Sequence, residues 1–116
     1  MHELAIASAL VDEAQKIAVQ NSARRVSSVS VAIGVLSGVE REALCFSFPL
    51  VAEGTLLEGA TLVVDIRPLR IKCSSCGVES ECSEISFLCP SCADSKVELI
   101  GGREILITSM ELEDDV

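Results

Sequence analysis

The amino-acid sequence predicts an α+β fold in which two helices and a small three-stranded mixed sheet carry an inserted four-cysteine module. Three observations support this prediction: apolar residues at helical spacing open the chain, strand-like alternation follows, and two C-x-x-C pairs stand in the second half. With 116 residues, 49% of them apolar, the chain is long enough for one core domain with a small metal-stapled module.

The first helix is predicted from Glu3 to about Gln20, because apolar side chains recur there every three or four residues. Asn21 and Ser22 end it. A strand buried on one face follows, because its apolar residues occupy alternate positions. These residues are Val29, Val31, Ile33 and Val35. Gly34 interrupts this strand, where a bulge or the close approach of another backbone segment is expected.

A second helix is predicted after Ser37-Gly38-Val39-Glu40, which has the form of a capping box. It should run toward Pro49 or just beyond, because proline lacks the amide hydrogen that a helix interior needs. A second strand follows at Leu62, Val64 and Ile66, which again alternate. This strand leads directly into the cysteine module.

The two cysteine pairs predict a zinc site. Cys73 and Cys76 form one C-x-x-C pair, and Cys89 and Cys92 form the other. Four thiolates close a tetrahedron around Zn²⁺ and leave no position open for a substrate, so a structural role is expected. Cys82 is a less favoured spare ligand, because the two pairs already complete four-coordination.

Cys45 lies in an apolar stretch of the chain and is expected to be a small buried side chain.

Two further strands are predicted from Val97 to Ile100 and from Arg103 to Leu112, joined at Gly101-Gly102 by a tight hairpin turn. Because strands flank the cysteine module, we expect it to be inserted, with 105–112 returning to complete the three-stranded sheet. Residues 1–68 and 103–116 then form one lobe, and residues 69–102 form a zinc-ribbon lobe within it.

The formal charge of −9 opposes general binding to nucleic acid or anionic membrane surfaces. Glu3 stands where a secretory signal would carry positive charge, and no apolar run reaches the length of a membrane span. A cytoplasmic protein with reduced thiols is therefore expected.

The amino terminus offers a second kind of metal site. The α-amine of Met1, the amide nitrogen of His2 and the imidazole Nδ1 of His2 can close two fused chelate rings around one metal ion. That planar geometry suits Ni²⁺ or Cu²⁺, whereas Zn²⁺ prefers tetrahedral thiolates. The alternative is that His2, the sole histidine, is a mobile surface residue.

These features together resemble the HypA family of nickel metallochaperones for [NiFe]-hydrogenase maturation. The resemblance rests on Met1-His2-Glu3 before an amphipathic helix, on Val31-Ala32-Ile33-Gly34 followed by Leu36 to Glu40, and on the later ribbon. It implies a mixed α/β nickel-binding lobe carrying an inserted zinc lobe. It also implies that Met1 and His2 bind nickel, that Glu3 is needed at the site, and that the four paired cysteines hold zinc.

The resemblance leaves some points open. Glu40 aligns with an acidic position near the nickel site, yet it also suits a helix-capping carboxylate. The fourth nickel donor is water, a carboxylate, the Glu3 amide or a side chain of a partner.

The implied function is delivery of Ni(II) to the hydrogenase large-subunit precursor, with a HypB-type GTPase as partner and no catalysis by this chain, a monomer or weak homodimer. The alternatives are a zinc-ribbon adaptor that binds protein or nucleic acid and a rubredoxin-like electron carrier with iron in the sulfur site.

Overall fold

The computed structural model describes residues 3–82 and 88–114. Within them the chain forms two helices and six strands, in the order α1, β1, α2, β2, β3, β4, β5, β6. Their bounds are α1 Glu3–Gln20, β1 Arg25–Gly34, α2 Arg41–Ala52, β2 Thr61–Arg67, β3 Leu69–Cys73, β4 Glu79–Cys82, β5 Val97–Gly101 and β6 Ile105–Glu113. The predicted α+β fold is confirmed.

The strands form two three-stranded sheets, with orders β2-β1-β6 and β4-β3-β5. In the first sheet, the Arg24 amide bonds to the Glu113 oxygen, and Thr108 Oγ1 bonds to the Ser30 oxygen, so β1 and β6 are antiparallel. Helix α2 connects β1 to its other neighbour, β2, the connection that joins parallel strands. The sheet is therefore mixed, and the prediction that the last strand returns to complete it is confirmed.

The chain divides into two compact units. One comprises the described residues up to Ala32, Val39–Asp65 and the residues from Leu106 onward, and the other comprises Ile33–Gly38 and Ile66–Ile105.

The first unit is built around the two helices, which pack against each other. Three fully buried alanines of α1, Ala7, Ala14 and Ala18, present a smooth surface to the core. Helix α2 contributes Leu44 and Phe48, one turn apart on its buried face. Small side chains on one helix and larger ones on the other fill a core that contains no Trp or Tyr.

The second unit is built around β3, which pairs antiparallel with β4 on one side and β5 on the other. Its side chains alternate strictly, so that Leu69, Ile71 and Cys73 are buried and the residues between them are exposed. The last buried position of the strand therefore carries a cysteine sulfur into the interior.

Helix α2 begins at Arg41, three residues later than the predicted capping box requires, so that prediction is wrong. After β1 the chain makes a turn in which the Ser37 amide donates to the Gly34 oxygen at 3.0 Å, and Gly38 adopts a φ of 78°. This left-handed conformation keeps Gly38 out of the helix. Glu40 occupies the N-cap position with no side-chain capping bond.

The predicted hairpin at Gly101-Gly102 is also wrong, because β5 and β6 belong to different sheets. The Gly102 oxygen accepts a hydrogen bond from the Leu36 amide at 2.6 Å, and the Gly102 amide donates to Glu104 Oε1 at 2.7 Å. A Cβ atom on Gly34 would collide with the Gly102 carbonyl. The close backbone approach expected at Gly34 is therefore present. It occurs at Gly102, where the chain leaves β5 and continues toward β6.

The prediction that Cys45 is buried is wrong as well, since the residue is exposed. Leu44, Phe48 and Ala52 recur every four residues on the buried face of α2, and Cys45 lies on another face of the helix.

Candidate metal centres

The four cysteines of the two C-x-x-C pairs lie together in the second unit. Their sulfur atoms are all within 4.8 Å of one another, with 3.6 Å between Cys73 Sγ and Cys92 Sγ and 3.6 Å between Cys76 Sγ and Cys89 Sγ. A sulfur tetrahedron with metal–sulfur bonds of about 2.3 Å has edges of about 3.8 Å. The cluster therefore has the size and the ligands for one tetrahedral ion of the zinc class.

Each cysteine pair sits in a backbone turn that is closed by two hydrogen bonds. The Cys73 amide donates to the Val78 oxygen at 3.0 Å, and the Gly77 amide donates to the Cys73 oxygen at 2.9 Å. In the second turn the Cys89 amide donates to the Asp94 oxygen at 2.9 Å, and the Ala93 amide donates to the Cys89 oxygen at 2.7 Å. Strand β3 leads directly into the first turn, because its last residue is Cys73.

The thiol groups do not titrate alike. The Cys92 amide donates to the Cys89 sulfur and, with the Ser91 amide, lowers the pKa of the Cys89 thiol to about 7. At Cys92 the Asp94 amide also lowers the pKa, but the adjacent Cys73 sulfur and desolvation outweigh it and raise the pKa of that thiol to about 12. Thiols crowded into so small a volume resist ionising together. A bound dication would relieve that repulsion.

Cys82 lies at the end of β4 and is half-buried. Among residues 3–82 and 88–114, the cluster of potential metal ligands contains the four paired cysteines and not Cys82.

Met1 and His2, the predicted nickel ligands, lie outside the described residues. Glu3, the next residue, begins α1 and is half-buried. Its Oε2 atom accepts a hydrogen bond of 3.1 Å from the Glu40 amide at the start of α2. Two residues that the resemblance associates with nickel, Glu3 and Glu40, are thus in direct contact although they lie 37 positions apart in the sequence.

An open cleft of about 600 Å³ adjoins this contact. Its lining combines the carboxylates of Glu3, Glu40 and Glu42 with the apolar side chains of Leu4 and Phe46. Phe46 is 74% exposed, an unusual position for the largest side-chain type in a chain so poor in aromatic residues. Periodicity alone did not predict this exposure, although α2 carries Phe46 and Phe48 on different faces.

Sequence reasoning also missed Ser75 and Asp94, which connect the two cysteine turns. Ser75 Oγ donates a hydrogen bond of 2.5 Å to Asp94 Oδ2. This hydrogen bond and the Lys96 amide hold the pKa of the Asp94 carboxyl below its usual range. No pattern in the sequence indicates this contact, because Ser75 and Asp94 lie 19 positions apart in two separate turns.

Among the residues that the structure describes, neither helix has the length and hydropathy needed to cross a membrane.

Comparison with known proteins places the whole chain in one family. The family model described as hydrogenase/urease nickel incorporation, metallochaperone, HypA matches residues 1–112. The hydrogenase maturation factor HypA of Aquifex aeolicus is 43% identical over 115 residues, which cover 99% of this chain and 100% of that protein. That of Nitrosospira multiformis is 38% identical over 112 residues, which cover 97% of each protein.

Solved structures share the fold. The solution structure of the Ni metallochaperone HypA from Helicobacter pylori matches with a TM-score of 0.74 and 23% identity, covering 99% of this chain and 100% of that one. A second solution structure of a HypA protein matches with a TM-score of 0.75 and 22% identity, covering 99% and 98% of the two chains. From the match of residues 1–112 to the family model and its similarity to curated relatives, this chain belongs to the HypA family of metallochaperones for nickel incorporation.

Proposed function

We propose that this chain binds Ni(II) at its amino terminus and delivers it to the large-subunit precursor of a [NiFe]-hydrogenase, while its four paired cysteines hold a structural Zn(II). Family membership supports nickel handling in general. The observation that most supports the proposed site is the hydrogen bond from the Glu40 amide to the Glu3 carboxylate. This bond fixes the residue next to the proposed chelate against the start of α2.

In the proposed site, the Met1 amine, the His2 amide nitrogen and the His2 imidazole bind nickel in one plane. Glu3 is required at the site, and Glu40 is a candidate for its surroundings. Nickel is the cargo and leaves by ligand exchange, so a fourth position that is easily vacated suits delivery. Because the amine, amide and imidazole must lose protons to bind, nickel affinity should fall as the pH drops through about 6.5.

The proposed zinc site has a different role. Four thiolates complete the coordination of Zn(II) and leave no open position, so the ion contributes folding energy rather than chemistry. The separations of the sulfur atoms support this assignment. We assign residues 69–102 to a zinc-ribbon lobe and residues 1–68 with 103–116 to a nickel-binding lobe.

The proposed partners are a HypB-type GTPase, which supplies or helps load nickel, and the hydrogenase precursor, which receives it. Relatives named hydrogenase maturation factors support the hydrogenase as client, and the family description adds urease as a second candidate. The proposed protein is cytoplasmic, performs no catalysis and is a monomer or weak homodimer. Its charge of −9 argues against nucleic acid as a partner.

The test is a calorimetric nickel titration of zinc-loaded protein with an authentic amino terminus. A short amino-terminal extension and the His2→Ala substitution should each abolish nickel binding without changing zinc content. The matched control is the same extension placed at the carboxyl terminus, which should leave nickel binding unchanged. Full nickel stoichiometry in the amino-terminally extended protein would exclude the proposed site.

A further inference from the structure

The two cysteine turns are near copies of each other in backbone but differ in one side-chain contact. In both turns the first cysteine's amide bonds to the oxygen five residues later, and its oxygen accepts from the amide four residues later. Residues two positions after each second cysteine therefore correspond, and these are Val78 and Asp94. Ser75 and Ser91, which precede the second cysteines, correspond in the same way.

Among the described side chains, only Ser75 and Asp94 form a hydrogen bond between the two turns; the corresponding residues Ser91 and Val78 do not. Ser75 Oγ donates to Asp94 Oδ2 at 2.5 Å, and the Lys96 amide donates to Asp94 Oδ1 at 3.0 Å. On the other side Val78 stands where Asp94 stands here, and its side chain has no acceptor. The bridge from Ser75 to Asp94, called the clasp below, therefore connects the two turns on one side of the sulfur cluster.

The clasp closes a ring with two of the sulfur atoms. The Ser75 amide donates to the Cys73 sulfur, and the Asp94 amide donates to the Cys92 sulfur. These two sulfur atoms lie 3.6 Å apart. Each residue of the clasp thus holds a sulfur through its backbone and the opposite turn through its side chain.

We propose that the clasp keeps the Cys73–Cys92 edge of the cluster closed and thereby slows release of the bound metal ion. This inference rests on the proposed four-cysteine metal site. Ser75 and Asp94 act as positioning residues, because they contact the sulfur atoms and each other rather than the ion. For the ion to leave, two thiolates on different turns must separate, and the clasp opposes that separation on its own side.

The test measures transfer of zinc from the loaded full-length protein to an excess of a chromogenic chelator. Ser75→Ala and Asp94→Ala should each release zinc about 5-fold faster, the effect expected for losing a partly exposed hydrogen bond to a carboxylate. The double variant should be no faster than the faster single variant, because either change opens the clasp. Ser75→Thr keeps the hydroxyl group and should restore the slow release.

Ser91→Ala is the matched control. Ser91 is exposed and occupies the corresponding position of the other turn, so this change should leave the rate as it is. All variants should keep the same cobalt-substituted visible spectrum, because the four sulfur ligands remain. Wild-type rates for Ser75→Ala, or an equal acceleration by Ser91→Ala, would overturn the role of the clasp.

The two proposals fail in different ways. If the clasp alone is wrong, every variant binds zinc and releases it at the wild-type rate. If the proposed metal site is wrong, the wild-type protein itself binds no zinc to the four cysteines, and the clasp is overturned with it.

Discussion

Replacing Glu3 with alanine should loosen the start of α2, because the Glu3 carboxylate accepts the hydrogen bond from the Glu40 amide at 3.1 Å. A hydrogen bond to a charged acceptor contributes about 1.5–3 kcal/mol when desolvated, and partial exposure reduces this to about 1 kcal/mol. A local free-energy loss of about 1 kcal/mol corresponds to an about 5-fold faster hydrogen exchange at that amide. The measurement is amide exchange of Glu40 by nuclear magnetic resonance.

Two variants sharpen this experiment. Glu3→Gln removes the charge but keeps a side-chain oxygen, so most of the protection of the Glu40 amide should remain. Glu13→Ala removes an exposed carboxylate from the same helix and should leave exchange at Glu40 unchanged. Unaltered exchange of the Glu40 amide in the Glu3→Ala protein would refute the claim that this hydrogen bond connects the two helix starts.

Three other outcomes are expected. Gly34→Ala should destabilise the protein by about 3 kcal/mol, because the added Cβ would collide with the Gly102 carbonyl. In the control Gly54→Ala the added Cβ meets no neighbouring atom, so this variant should lose only about 1 kcal/mol of stability, because of its positive φ. Comparing the two urea midpoints tests this. Ala93→Gly should relieve a φ of 60° and delay unfolding by chelator, whereas Gly77→Ala, at a φ of 74°, should hasten it. Removing the metal with chelator should abolish amide protection in β3 to β5 but preserve it in α1, because a small unit with few buried apolar side chains depends on its ion.

Local patterns in the sequence predicted those helices and strands whose bounds depend only on the residues within them. Helix α1 has the predicted bounds because its apolar spacing is regular from Glu3 to Gln20. The start of α2 was misplaced, because the preceding turn is held by the bond from the Leu36 amide to the distant Gly102 oxygen. The same long-range contact explains why two glycines that suit a hairpin serve instead to pass the chain between sheets.

The candidate sites show the same division. The spacing of the cysteine pairs predicted the sulfur cluster. Each C-x-x-C turn brings its own two thiols together, and two such turns supply the four ligands of a tetrahedral site. The contact between Ser75 and Asp94 could not be predicted from either residue alone, because it depends on how two separate turns lie against each other. Cys45 is exposed because another face of α2 packs into the core. The apolar residues around Cys45 in the sequence did not show which face would be buried. The nickel assignment to Met1 and His2 stays a prediction.

The return of the last strand to the first sheet has a consequence for biosynthesis. A ribosome releases the chain from its amino terminus, so all four paired cysteines emerge before β6, which covers one side of β1. The four thiols are therefore available to bind a metal ion while β1 still lacks a partner strand along one edge. A product that terminates before Ile105 keeps every one of those thiols and leaves β1 with a single partner strand.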